Sequence, residues 1–256
     1  MINTTPLRLL VAAVLSVGLL AACGGGDDDS LDDRADVADP KVRFVHAVPG
    51  GPNVTLQRNG TNESGATNMA YKSASQYYDV RTEGYAFSLR TATGNVELAS
   101  TNVSADRGNK YTLVALPALS GVELLTIRDP YNKSVASDDA RLRVIHAAVN
   151  AQAFDVYVTA AAADIAAATP QLANIGFKQV RPVDGADSID VERGVYRIRL
   201  TPAGAKTVFF NATVNVPENG DWLLVVLPDG ATPDSVRVLL VRSDDSDDAT
   251  DEIVTE

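Results

Sequence analysis

The middle of this chain repeats itself, and the repeat governs any fold it can adopt. Val42-Arg43-Phe44-Val45-His46-Ala47 returns as Leu142-Arg143-Val144-Ile145-His146-Ala147, offset by 100 residues. Asp79-Val80 through Tyr85-Ala86-Phe87-Ser88-Leu89 returns as Asp190-Val191 through Tyr196-Arg197-Ile198-Arg199-Leu200, offset by 111. Tyr111-Thr112-Leu113-Val114-Ala115-Leu116-Pro117 returns as Trp222-Leu223-Leu224-Val225-Val226-Leu227-Pro228, again by 111. A period near 100 residues indicates two homologous domains, since stacked solenoids repeat every ~20–50 residues.

Each copy reads as β-structure. Tyr85, Phe87 and Leu89 alternate with Ala86, Ser88 and Arg90, and Tyr196, Ile198 and Leu200 alternate with Arg197 and Arg199. A period of two with arginines on one side marks a strand with one wet face. Segments 111–116 and 222–227 are apolar on both faces, as central strands are. Gly50-Gly51-Pro52, Gly94-Asn95, Pro202 and Asn219-Gly220-Asp221 punctuate the runs. About seven short strands per copy predict an all-β chain: two tandem immunoglobulin-like antiparallel β-sandwich domains, at 41–130 and 141–243. The linker 131–140 is short, so the domains are expected close together. The growing offset places an insertion near Ala160–Pro170, where two alanine runs predict a short helix on the rim of the second domain. It is read as a neutral insertion, with a functional rim loop as the competing reading.

Charge is confined to the ends. Net charge is −11, yet residues 41–242 hold 19 acidic and 20 basic side chains. The segment 24–40 carries seven Asp and one Arg, and 243–256 carries five Asp and two Glu without a base. Residues 23–40 read as an acidic tether, extended by like-charge repulsion, and 244–256 as an acidic disordered tail. Neither has the oxygen spacing and turn glycine of an EF-hand, so weak divalent cation binding is the most they predict. No basic patch exists to bind nucleic acid.

The single cysteine, Cys23, ends Leu19-Leu20-Ala21-Ala22-Cys23 after an apolar run from Leu9 to Leu20. That run is too short to span a ~30 Å hydrocarbon core and suits a signal-peptide core at 1–22. The cysteine after small residues resembles the lipobox of bacterial lipoproteins. The resemblance implies cleavage before Cys23, acylation of its sulfur and nitrogen with palmitate-type chains, and stable anchoring, since several acyl chains hold where one does not. A secretory signal cut after Ala22 and an uncleaved anchor are the competing readings; Gly24-Gly25-Gly26 after the cysteine favours the lipoprotein. Gly24, rather than an aspartate, implies the outer membrane. With its one cysteine at the anchor, the folded part has no disulfide and relies on its core.

Arg43-Phe44-Val45-His46-Ala47-Val48-Pro49-Gly50-Gly51-Pro52-Asn53-Val54 resembles the opening of the bacterial domain of unknown function 4397. That family opens with a strand ending in His-Ala-Ser-Pro-Asp-x-Pro and continues Val-Asp-Val-Tyr. The first copy keeps His46, Pro49 and Pro52 but has Thr55 where the aspartate belongs. The second keeps His146 and Phe154-Asp155-Val156-Tyr157 but lacks both prolines. The resemblance covers roughly 41–130 and 141–243. It implies an extracytoplasmic β-sandwich, often in tandem on lipoproteins, and it offers no catalytic residue to transfer.

His46 and His146 are the only histidines, at matched positions. In strand register each shares a face with core residues, so a structural imidazole bonding the following loop is expected in place of a metal ligand. Asp79 and Asp190 repeat, Asp155 belongs to the motif kept by the second copy, and all three read as structural. No Gly-x-Ser-x-Gly elbow or spaced carboxylate pair marks an enzyme, and no cofactor is expected. The function expected is a lipid-anchored, non-enzymatic binding or scaffolding module with an envelope protein partner. The runner-up is capture of a glycan or small ligand, which would use Tyr77, Tyr78 or Tyr131 if these are exposed.

Overall fold

A computed structural model describes residues 38–131, 137–243 and 250–256. Cys23, the signal segment, most of the tether and the acidic run 244–249 lie outside the described residues, as does the middle of the linker.

The first half contains β1 (Lys41–His46), β2 (Val54–Arg58), β3 (Thr61–Asn62), β4 (Tyr78–Asp79), β5 (Gly84–Thr91), β6 (Glu97–Ser104), β7 (Asn109–Ala118) and β8 (Gly121–Pro130). The second contains β9 (Ala140–His146), β10 (Phe154–Ala160), β11 (Leu172–Ile175), β12 (Val180–Arg181), β13 (Ile189–Val191), β14 (Gly194–Pro202), β15 (Phe210–Val216), β16 (Asp221–Pro228), β17 (Val236–Arg242) and β18 (Thr250–Ile253). In the first half, β4-β1-β7-β8 forms one sheet and β3-β2-β5-β6 the other. In the second, β12-β9-β16-β17-β18, with β13 also on β9, faces β11-β10-β14-β15. The halves thus share one strand order, and each is a two-sheet sandwich.

The chain is all-β, but its sheets are not wholly antiparallel. β1 runs parallel to β7, with Val42 opposite Tyr111, and β9 runs parallel to β16, with Leu142 opposite Trp222. A parallel pair needs a long connection between its strands. Here the excursion through the second sheet, β2 to β6 or β10 to β15, supplies it.

Three apolar layers lie between four sheets. Val42, Phe44, Tyr111 and Leu113 pack with Leu56, Phe87 and Leu89 inside the first sandwich. Leu142, Val144, Trp222 and Leu224 pack with Phe154, Val156 and Ile198 inside the second. The third layer joins the halves: Val45, Val114, Leu116 and Ile127 meet Ile145, Leu223, Val225, Leu239 and Val241. The β1–β7 and β9–β16 sheets are therefore covered on both faces. That is why 111–116 and 222–227 carry apolar residues without alternation.

Two expectations are corrected. Residues 250–253 of the acidic tail are not disordered; they form β18, paired antiparallel to β17 from Val241↔Thr250 to Val238↔Ile253. The alanine insertion makes a single 3-10 turn, Ile165–Ala167, instead of a rim helix. It begins with Asp164, whose carboxylate accepts the Ala166 N–H at 2.9 Å. The insertion follows directly from β10 and lies beside the outer sheet. Ala161 O accepts from Arg199, and Ala168 O accepts from Lys206, whose ammonium lies 4.6 Å from the Tyr157 ring centre. Tyr157 is buried there.

Candidate functional site

The repeated histidines close loops. His46 Nε2 donates to Pro52 O at 3.0 Å while Nδ1 accepts the Val48 N–H at 3.3 Å. His146 repeats the arrangement with Gln152 O at 3.1 Å and the Ala148 N–H at 3.3 Å. With Nε2 as donor and Nδ1 as acceptor, each ring is the neutral tautomer. Both imidazoles are buried, and burial pushes their pKa down against the opposing pull of the carbonyl bond. An aromatic edge covers each ring: Tyr71 at 6.3 Å from His46 and Phe177 at 5.9 Å from His146. Among the described residues no group of three or more His, Cys, Asp or Glu could hold a metal ion.

The aspartates do not converge. Asp155 is buried and its carboxylate accepts the Asn174 and Gly204 N–H groups at 2.7 and 2.8 Å. At the matching position Thr55 accepts the Asn68 N–H at 3.1 Å, a neutral version of the same loop contact. Asp79 is exposed at the β4 edge, opposite Lys41, and Asp190 is exposed in β13, opposite Arg141. None of these meets a histidine in a catalytic arrangement.

The polar end of the interface between the halves gathers side chains that sequence reasoning had left aside. Lys110 Nζ lies 3.2 Å from Asp221 Oδ2, with both residues no more than 5% exposed. Ser243 donates to the same Asp221 oxygen at 3.1 Å. Asp129 accepts from Arg141 and Arg143, each at 3.0 Å, and from Ser188 at 2.9 Å. Arg43 bonds Thr112 Oγ1 at 2.9 Å. Tyr77 and Tyr131 lie between the cations: Arg43 is 4.5 Å from the Tyr77 ring centre, and Lys110 and Arg141 are 4.0 and 4.7 Å from that of Tyr131. Ring faces attract such desolvated cations. Burial pushes the Asp221 carboxyl up, but Lys110, Arg141 and Arg43 outweigh it and hold the group well below the usual carboxylate range. Burial raises the Tyr77 hydroxyl above its ordinary value.

The tyrosines named as exposure candidates are therefore misplaced in that role. Tyr131 is 2% exposed, Tyr77 is packed under Arg43, and Tyr78 is only partly open. One signal for the cluster was legible: Lys110 and Asp221 carry opposite charges at matched positions, as two residues must if they meet across an axis relating the halves.

The outer face of the β3-β2-β5-β6 sheet is open. Asn59, Ala86, Ser88, Glu97, Ser100 and Asn102 border a depression of about 340 Å³ on it. Gln57 lies opposite Ser88 there, at the position matching buried Tyr157 of the second half.

A family model, Domain of unknown function (DUF4397), matches residues 40–157. The match spans the first half and runs on through β9 and most of β10. No curated protein matches the chain. Among solved structures, the chain is similar to CBMbc, a family CBM26 module from Eubacterium rectale Amy13K in complex with maltoheptaose. Identity is 10%, coverage 72% of this chain and 91% of that one, and the TM-score 0.25. A structure titled "Alpha-glucan binding by a streptococcal virulence factor" is 12% identical, covering 73% and 93%, with a TM-score of 0.23. At such scores the likeness assigns no ligand to this chain.

Proposed function

We propose that this chain is a lipid-anchored, non-enzymatic binding or scaffolding module of the cell envelope, held through Cys23 in the outer membrane. The observation that carries the reading is where the reactive side chains go. Both histidines bond loop backbone, and the charges of the repeat are spent joining the two halves. A site for general acid–base work needs such groups in a cleft and free to exchange protons. This chain instead presents a rigid double sandwich with open sheet faces and edges, suited to holding a protein partner. The second half is proposed as a second domain of the same family, on the matched strand order and on His146 repeating the bonds of His46.

A glycan or small polar ligand is the second reading. It draws on the amide and hydroxyl groups around the outer-face depression of the first half. The burial of Tyr131, Trp222 and Tyr157 weighs against it, since sugar rings are held by stacking on exposed aromatics.

In-cell crosslinking of the tagged full-length chain, with mass spectrometry of captured proteins, tests the proposal. One dominant envelope protein, lost in a Cys23→Ala chain, is the expected result. Absence of any enriched protein would overturn the scaffolding reading in favour of a soluble ligand, to be sought by thermal-shift screening.

A further inference from the structure

The two halves meet their partners in matched but unequal ways. Lys72 and Lys178 occupy equivalent places: each has a left-handed backbone and each donates its N–H to the repeated histidine, His46 O at 2.9 Å and His146 O at 2.7 Å. Each side chain then reaches the opposite half. Lys178 pairs with Glu123 on β8 at 2.8 Å. The residue of β17 matching Glu123 is Arg237, because it faces Leu227 as Glu123 faces Leu116. A lysine facing that arginine would be repelled, but Glu252 of β18 stands between them, 2.9 Å from Lys72 and 2.6 Å from Arg237.

Most of the remaining hold on this terminal segment is also ionic or edge-to-edge. Asp251 pairs with Arg242 at 2.9 Å. Glu256 pairs with Arg197 and accepts the Thr213 N–H, both at 2.8 Å, while its own N–H donates to Asn211 O at 2.9 Å. Ile253 is the segment's apolar contact with the core, and it is only partly buried. The seat is incompletely filled: a groove of about 380 Å³ remains between β15 and β18, bordered by Val214, Trp222 and Leu240. Seven residues, 243–249, separate β17 from β18, where a hairpin needs two to five.

We infer that the outer edge of β17 is a strand-acceptor site, that residues 250–256 are its resident occupant, and that the same residues of a second copy can take the seat. The product is a dimer in which the copies exchange β18. Exchange preserves the contacts of residues 250–256, so concentration alone can drive it. An edge held by exposed charges rather than a buried apolar face is the one expected to trade partners.

The test mixes two intact full-length chains bearing different tags, both carrying Cys23→Ala so that the protein is handled without its proposed lipid. After incubation at high concentration, one tag should capture the other chain, and removing residues 250–256 from both should abolish the capture. A synthetic peptide of residues 249–256 should inhibit it, and the same peptide with Glu252→Lys should need about tenfold more, as expected for the loss of two partly exposed ion pairs. No mixed pair at any concentration, a mixed pair that survives removal of residues 250–256, or equal inhibition by both peptides would each overturn the inference. Circular dichroism of the chain without residues 250–256, expected to keep its β spectrum, separates loss of exchange from loss of fold.

Discussion

Lys110 and Asp221 stand at the same position of the two repeats and are bonded to each other at 3.2 Å, buried between the sandwiches. In an isologous pairing a residue on the axis meets its own copy. Two lysines or two aspartates there would repel in a site sealed from water. Here the matched positions carry opposite charges instead. Around them the match is looser: Arg43 and Arg143 recur, while Asp129 of the first half corresponds to Ser243 of the second.

Removing one partner of this pair should cost more than removing both. Asp221→Ala leaves the Lys110 ammonium buried beside Arg141, and a loss of about 3–5 kcal/mol is expected. Lys110→Met with Asp221→Leu should recover most of it. Urea denaturation of the single and double variants gives the coupling directly. Equal losses in the two variants would show that the pair is not the joint.

Acid should release the same joint. The folded-state pKa of Asp221 is depressed, so its stabilisation is complete above the unfolded value of about 3.9 and is lost as pH falls toward the lower folded value. Stability between pH 5 and pH 3 should therefore decline less steeply in Asp221→Asn, from its lower starting point. Chemical denaturation across that range measures the slope.

The histidines predict a second, milder dependence. Their pKa values are lowered by burial, so above about pH 6.5 neither the folded nor the unfolded chain takes up their protons and their contribution is full. Below that the unfolded chain binds protons first and stability falls. His46→Ala and His146→Ala should each cost about 1–3 kcal/mol through the loop groups left unbonded. Metal analysis of the purified variants should equal that of the parent; stoichiometric zinc lost on either change would contradict the loop-closing role.

The insertion near 160–170 should behave as a cover. Replacing residues 161–169 with a short turn removes the carbonyls that accept from Arg199 and Lys206, and it is expected to expose Tyr157. A loss of about 1–3 kcal/mol is expected from uncovering that ring, read by thermal unfolding. No loss would return the insertion to a neutral addition.

Much of the architecture could be read from residue order. The Val42–Ala47 and Leu142–Ala147 match marked two strands that hold the same place in their sheets, and alternation in 85–89 and 196–200 marked strands with one wet face. The unbroken apolar runs at 111–116 and 222–227 marked buried strands, but not that their second face meets the other half. Strand direction was not legible, because the parallel pairing of β1 with β7 depends on a connection more than sixty residues long. The acidic tail misled for a physical reason: residues 250–256 lack apolar surface to fold alone, yet Lys72, Arg237, Arg242 and Arg197 supply the charges that seat them. Tyr131 and Tyr77 read as candidates for exposure because no local window shows the cations that cover them: Arg141 of the other half on Tyr131, and Arg43 and Lys110, distant in sequence, on Tyr77.

The two sandwiches join through the apolar layer and the Lys110–Asp221 pair, and on this account they unfold as one unit. Trp222, the sole tryptophan, reports on the second half, whereas far-ultraviolet circular dichroism reports on both. Urea unfolding of the full chain, followed by tryptophan fluorescence and by circular dichroism, tests it most directly. One coincident transition is predicted, as for a single cooperative unit. Two separated transitions, with the circular dichroism change split between them, would contradict it.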